Sequence, residues 1–336
     1  MRVLCSSATG LLVGWLADEG LGDPSRYHPV AGFGHVASAL EQKTWRDQRA
    51  AGAAHVALLV GTTLLGGVAL ERLTLVNRPD ARRPDPRGPG VLHLALTAAA
   101  CWAVLGGRSL RREAAAVGTL LAADDLNGAR DRIRSLVGRD PTHLSADELA
   151  RAVIESVAEN SSDAVVAPLF WGAVAGIPGL LGYRAINTLD AMIGHRSPRY
   201  HRFGWAAARL DDLVNWIPAR LAAGLAAAAA PLVGGSPAAA FDTVRADAHK
   251  HPSPNAGPVE AAFAGALGVR LGGTNRYGDR VEDRGTLGAG RPVTAADIAG
   301  ANRLAAAVGV GAAVLATLGA FARQRFLSER RPKVGA

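Results

Sequence analysis

Charge disappears from this chain in long runs, and the spacing of those runs decides the solvent in which it folds. Uncharged apolar stretches cover 3–17, 50–70, 88–107, 164–183, 221–241 and 304–322. A helix rises about 1.5 Å per residue, so about 20 residues cross roughly 30 Å of bilayer hydrocarbon. Four of the six runs reach that length, 304–322 nearly does, and 3–17 falls short. Ala-rich buried helices of a soluble bundle would account for one such run. Several, separated by Arg-rich polar stretches, predict an all-α, polytopic integral membrane protein. The predicted membrane segments are 3–21, 50–70, 88–107, 164–183, 213–241 and 304–322 of a single membrane domain over 1–336, with polar regions at 108–162 and 242–303.

The charge pattern agrees. Charged residues make up 20% of the chain, below the quarter or so of soluble domains. The net charge of +8 is almost all arginine, the only lysines being Lys43, Lys250 and Lys333. Those arginines are spread through loops, which suits anionic headgroups better than nucleic acid. Cys5 and Cys101 lie far apart in apolar runs, without metal-ligand spacing. "MRVLCSSATGLLVGWLADEG" has the look of a short signal peptide, but Asp18 and Glu19 come next with no clean cleavage site, so it is read as a retained first span. Arg323, Arg325, Arg330, Arg331 and Lys333 after the last run predict a cytoplasmic C-terminus. The stretches 71–90 and 108–162 are both Arg-rich on either side of one run, so charge assigns no further topology. Pro168 and Pro178 with nearby glycines predict that 164–183 is a broken or re-entrant helix.

Four polar blocks interrupt this pattern. In "ESVAENSSD" a helix that starts at a Ser145–Glu148 capping box puts Glu155, Glu159 and Asp163 at i, i+4 and i+8. Like charges at that spacing repel by a few tenths of a kcal/mol per pair. A divalent cation would compensate them; the plainer reading is a solvated helix end, with Ser162 or Asp163 capping the next helix. In "NTLDAMIGHRSPRYHRFGWAAARLDDLVNWIPAR", Asn187 and Asp190 share one helical face, as do Arg209, Asp212 and Trp216, while Asp211 and Asn215 form a second row. Arg209 and Asp212 make a local ion pair on the plain reading. Yet Arg184, Arg196, Arg199, Arg202, Arg209 and Arg220 crowd the same stretch, and ionisable groups at membrane depth mark function; such a rim suits a phosphate-bearing anion. "SPNAGPVEAAFAGALGVRLGG" predicts a helix starting near Gly257, with Glu260 in its first turn and Ala261, Ala264, Gly265 and Gly268 as a close-packing face. Its free N–H groups suit a phosphate, although packing in the bundle explains it as well. "LGGTNRYGDR" reads as a glycine-rich loop, and in "DEGLGDPSRYHPVAGFGH" His28 reads as structural. No glycine-rich loop ends in Lys-Ser or Lys-Thr, so there is no P-loop. "HKHP" at 249–252 is a poor metal cluster.

Taken together, "GDPSRYHPV" at 22–30, "ESVAENSSDAVVAPLF" at 155–170, "NTLDAMIGHRSPRYHRFGWAAARLDDLVNWIPARL" at 187–221 and "SPNAGPVEAAFAGALGVRLGG" at 253–273 resemble the CobD/CbiB proteins of cobalamin biosynthesis, adenosylcobinamide-phosphate synthases, over essentially the whole chain. Ala164 stands where that family usually has Gly, and Phe263 where Met is common.

The resemblance implies a multi-pass inner-membrane ligase, dependent on ATP and Mg²⁺, that joins a propionate carboxylate of adenosylcobyric acid to aminopropanol or aminopropanol phosphate. It implies no nucleic-acid partner and leaves association with other cobalamin-pathway enzymes and the oligomeric state open. On that footing Glu155, Glu159 and Asp163 are expected to hold Mg²⁺, and Arg199 and Arg209 to face phosphate. Asp190, Asp211 or Asp212 would bind the amine and help deprotonate it, and Asn187 and Asn255 would orient substrate. Asn160, Arg184, Tyr200, Asn215 and Glu260 complete the expected substrate set. The alternatives are a transporter, against which stand the lack of an inverted repeat and polar motifs at segment ends, and a non-catalytic sensor related to the family, which should have lost the carboxylates kept here.

Overall fold

The structure, a computed structural model, describes residues 6–24, 28–76, 90–138, 140–195, 197–277 and 280–329. Its elements in chain order are α1 (Ser6–Leu21), α2 (Pro29–Thr44), α3 (Arg49–Val76), α4 (Val91–Val104), α5 (Gly107–Ala122), α6 (Leu126–Ile133), α7 (Ala146–Ser161), α8 (Ala167–Leu189), α9 (Trp205–Val214), α10 (Trp216–Ala229), α11 (Pro237–Asp247), α12 (Ala256–Leu267), β1 (Leu271–Tyr277), β2 (Arg280–Leu287) and α13 (Asp297–Glu329). Two π-helical turns, Ser162–Val166 and Asp190–Gly194, flank α8.

The chain is an all-α membrane protein. Among the described residues five helical stretches are long and apolar enough to cross a bilayer: Arg49–Thr74, Val91–Ala122, Ala146–Gly194, Trp216–Val233 and Asp297–Phe326. Only 28% of the most apolar window of α3 is buried, and Leu58, Leu64, Leu65 and Leu73 are exposed along it, as are Val310, Val314, Leu315 and Leu318 on α13. Apolar faces of that extent call for lipid. Five predicted segments thus have counterparts. The sixth, 3–21, corresponds to α1, which has 16 residues in its described part and is not among the five. The predicted 213–241 stops early because Pro231 and Gly234, at φ 80°, end the helix before Pro237 starts another.

Contacts divide the chain into two compact units: residues 1–105, 167–214 and 313–336 in the first, and residues 106–166 and 215–312 in the second. In the first unit α1 packs along α4 through Gly10 and Gly14, spaced as in GxxxG; an added Cβ would meet Thr97 at Gly10 and Cys101 at Gly14. α3 runs along α8, with Gly67 against Pro178 and Gly182 against Leu64. The predicted break in 164–183 falls at Gly176, whose φ of 69° and ψ of −146° only glycine adopts readily, two residues before Pro178. Ala37, Val56, Leu59, Leu189, Ile193 and Phe203 form a buried cluster among α2, α3, α8 and α9.

In the second unit the Ser145–Glu148 capping box opens α7 as expected, the Ser145 N–H donating to Glu148 Oε2 at 2.9 Å. α12 starts at Ala256, one residue from its predicted start, and its Gly265 meets the α11 backbone at Ala239 and Ala240. Gly268, at φ 65°, caps it. "LGGTNRYGDR", expected to be a loop, is instead an antiparallel hairpin pairing β1 with β2. Gly272, Gly273 and Gly285 take positive φ at the point where its register shifts, a local twist that side chains would resist.

Candidate functional site

The expected site residues divide between the two units. Arg184, Asn187, Asp190, Arg199, Tyr200, Arg209, Asp211 and Asp212 belong to the first; Glu155, Glu159, Asn160, Asp163, Asn215, Asn255 and Glu260 belong to the second.

In the first unit the end of α8 faces α9. Arg184 Nη1 donates to Asn187 Oδ1, and Asn187 Nδ2 donates to Asp211 Oδ1, each at 3.4 Å. Residues 24 positions apart are thus joined in one row of guanidinium, amide and carboxylate. Asp190 opens the π turn that ends this helix, and its carboxylate folds back over Gly194, where an added Cβ would collide with Oδ1. Arg209 and Asp212 form the local ion pair of the plain reading, at 3.3 Å and largely exposed.

Arg199 and Tyr200 are engaged differently from the expectation. Arg199 donates from Nε and Nη2 to Glu41 Oε1 at 3.2 and 2.9 Å, and the Tyr200 hydroxyl donates to the same oxygen at 3.0 Å. The guanidinium lies over the Trp45 ring, 4.8 Å from its centroid. Glu41 and Tyr200 hold the Arg199 proton more firmly than usual. These side chains staple the 197–204 stretch onto α2, which leaves Arg199 far less available to a phosphate than expected. Sequence reasoning misses Glu41 because it lies 158 residues away and in none of the four blocks. Arg196 lies outside the described residues.

In the second unit Glu155 and Glu159, one turn apart on α7, line a cavity of about 90 Å³ with Ala152, Ser156, Leu136, Val137, Gly138 and Arg284 of β2. Glu155 is buried; its Oε1 accepts the Gly272 N–H at 2.9 Å and lies 3.9 Å from Arg151 Nε. Asn160 turns back onto its own helix, donating to the Ser156 carbonyl at 2.9 Å. Asp163 does not line the cavity. The helix widens into a π turn at Ser162, so the i, i+4, i+8 row loses its third member. Among the described residues no three His, Cys, Asp or Glu side chains are grouped to hold a metal ion. The expected trio of Glu155, Glu159 and Asp163 is therefore not assembled as a preformed metal centre.

Glu260 of α12 is fully buried with His251, whose Nε2 is 3.6 Å from Glu260 Oε1. Burial, followed by nearby Arg284, pushes the His251 pKa down to about 4, so its ring is neutral at pH 7. Asn255 stands at the N-cap position of α12 but makes no side-chain capping bond; its Oδ1 accepts from Arg220 Nη1 at 3.5 Å, and that guanidinium stacks 4.2 Å over Trp216. Asn215 is buried where α9 gives way to α10. Sequence reasoning misses Arg284 and His251 as well: one sits in a stretch that reads as a loop, and the other reads only as a poor metal ligand.

Both units, then, carry guanidinium, carboxylate and amide groups in contact on helices that are otherwise apolar, within a multi-pass helical membrane protein. The CobD/Cbib protein family model matches residues 11–305. The chain is 54% identical over 317 residues to the cobalamin biosynthesis protein CobD of Mycobacterium tuberculosis strain H37Rv, covering 94% of this chain and 97% of that one. It is 47% identical over 270 residues to the protein of that name from Rhodobacter capsulatus, covering 79% and 80%. With that of Chromobacterium violaceum it shares 42% over 327 residues, covering 92% and 98%. No solved structure matches. The chain belongs to the CobD/CbiB family of cobalamin biosynthesis.

Proposed function

We propose that this protein is the ATP-dependent carbon–nitrogen ligase of that pathway, joining a propionate carboxylate of adenosylcobyric acid to aminopropanol or aminopropanol phosphate in the cytoplasmic membrane. The observation that carries the proposal is the Arg184–Asn187–Asp211 row, which puts a cation, an amide and a carboxylate at the end of a candidate membrane span.

A carboxylate does not react with an amine until one of its oxygens becomes a leaving group. The γ-phosphoryl group of ATP moves to that oxygen and ADP leaves. The amine nitrogen then attacks the acyl carbon, inorganic phosphate departs, and the nitrogen loses its proton. Phosphoryl transfer of this kind rests on positioning and charge neutralisation. Arg184 and Arg209 are the cations for the phosphates, and Asn187 orients the acceptor carboxylate. Mg²⁺ bound through one or two carboxylates plus substrate phosphates needs no preformed trio, and Asp190 and Asp211 are the carboxylates suited to it. When bound it would neutralise phosphate charge.

The test is purified protein in detergent with ATP, Mg²⁺, adenosylcobyric acid and either amine. Stoichiometric amide and ADP are expected. Uptake of a corrinoid into liposomes without amide formation would replace the ligase with a transporter.

A further inference from the structure

Two contacts inside α8 exclude a straight helix. An added Cβ on Gly179 would meet the Trp171 carbonyl, and one on Gly172 would meet the Leu180 side chain. Positions eight residues apart in an unbroken helix stand about 12 Å apart along its axis. The chain therefore doubles back at Gly176, whose positive φ makes the turn. Pro178 falls in the first turn of the returning limb, where its missing N–H leaves no helical bond unmade. Gly176, Ile177 and Pro178 are buried, as backbone released from a helix at membrane depth has to be.

The neighbouring helices of the first unit give the depth of this turn. Glu71, near the end of α3, lies on it: an added Cβ on Gly176 would stand 2.8 Å from Glu71 Oε1 and 3.0 Å from Oε2. A carboxylate at the start of a helical limb complements the partial positive charge of the free N–H groups there. The returning limb then runs back along α3, Pro178 beside Gly67 and Gly182 beside Leu64. The starts of α1 and α4 and the end of α13 share the level of the turn. The Thr74 hydroxyl donates to the Glu71 carbonyl at 2.6 Å and lies 2.9 Å from His93 Nδ1. Ser7 Oγ is 2.8 Å from His93 Nε2 and accepts from Gln324 Nε2 at 2.6 Å. Asn187, 11 residues past Gly176, stands about 17 Å from the turn along the returning limb.

We propose that α8 is a re-entrant hairpin that leaves the bilayer on the face where it entered, and that Glu71 is a positioning residue that clamps its turn. Glu71 thereby sets the depth of the limb that carries Arg184 and Asn187. The apolar stretch Ala146–Gly194 then returns in its α8 part instead of crossing. The Arg184–Asn187–Asp211 row and the end of α13 fall on opposite faces. The hairpin rests on contacts alone, whereas the bearing of Glu71 on catalysis rests on the ligase reading. That reading, with ATP supplied from the cytoplasm, also puts the end of α13 outside, against the expectation from its arginines.

The test is labelling of the full chain by an impermeant maleimide in right-side-out and inverted membrane vesicles. Asp163→Cys, Ala191→Cys and Arg325→Cys are made one at a time in a protein carrying Cys5→Ala and Cys101→Ala. The first two, which flank α8, should react from one face and Arg325→Cys from the other. Reaction of Asp163→Cys and Ala191→Cys from opposite faces overturns the hairpin, and reaction of Arg325→Cys from their shared face overturns its depth. In the Ala191→Cys protein, Glu71→Ala should raise the labelling rate and lower kcat for amide synthesis about tenfold with KM for ATP little changed, the scale of a small misplacement. Glu71→Gln, which keeps an oxygen at the turn and the unfolding midpoint of the parent, should recover most of both. Gly176→Ala should reproduce Glu71→Ala, and the two together should do no more than either alone, because they act at one turn. An unchanged labelling rate in Glu71→Ala, or additive effects of the pair, overturns the clamp. The expected labelling pattern with Ala191→Cys reacting only from outside, or in a protein that makes no amide, keeps the hairpin and removes the ligase.

Discussion

Glu41 and Arg199 are joined by two hydrogen bonds to one oxygen, Glu41 Oε1, across 158 residues of sequence. The Tyr200 hydroxyl shares that oxygen at 3.0 Å. An arginine that its surroundings marked as a phosphate ligand is thus committed to holding a loop in place, and the carboxylate that holds it lies in none of the polar blocks.

Glu41→Ala should loosen the 197–204 stretch. Tyr200 loses its acceptor at a part-buried position, which costs about 1–2 kcal/mol; the Arg199 share is small because that side chain is half exposed. Glu41→Gln keeps the acceptor oxygen and should retain about half the effect. Thermal unfolding in detergent, with limited proteolysis after Arg199 and Arg202, reads both; equal midpoints for wild type and Glu41→Ala would show that the staple does not matter.

Gly14→Ala should destabilise the protein by roughly 1–3 kcal/mol, because the added Cβ overlaps Cys101 across the α1–α4 contact. Gly20→Ala, on the same helix with nothing within 4 Å, is the control and should be neutral or slightly stabilising. The midpoint difference between the two variants measures the closeness of that contact.

Stability should fall as pH drops from about 6.5 towards 4. The His251 pKa lies near 4 in the folded chain, lowered by burial and Arg284, against an ordinary value of 6.5. Between those values the unfolded chain takes up a proton that the folded chain refuses, so the loss is complete near pH 4 and reaches about 3 kcal/mol. His251→Gln should flatten this part of the stability curve measured between pH 7 and 5. A variant with the same slope as wild type would place the titration elsewhere.

Asp211→Asn should cut amide synthesis by about a hundredfold, the scale of losing a positioned acid–base or metal-binding carboxylate, with binding of the corrinoid little changed. Asp212→Asn, whose partner Arg209 is largely exposed, should cost under tenfold. Comparable kcat values for the two variants would remove Asp211 from the reaction.

Much was legible in the chain itself. The solvent follows from charge-free runs of bilayer length, since hydrocarbon penalises every unpaired polar group regardless of the final packing. The capping box at Ser145, the start of α12 and the weak point before Pro178 were readable as well, because each depends on residues within one or two turns.

Tertiary structure decided the partners. A π turn of five residues separated Asp163 from the row of Glu155 and Glu159, and nothing in the local spacing announces it. Asn187 was readable as polar, but only the packing of α9 on α8 made Asp211 its partner. Glu41, Arg284 and His251 gained significance from side chains far away in sequence. A helix is a short-range object, whereas which carboxylate is satisfied and which faces a cavity depends on where distant segments come to rest.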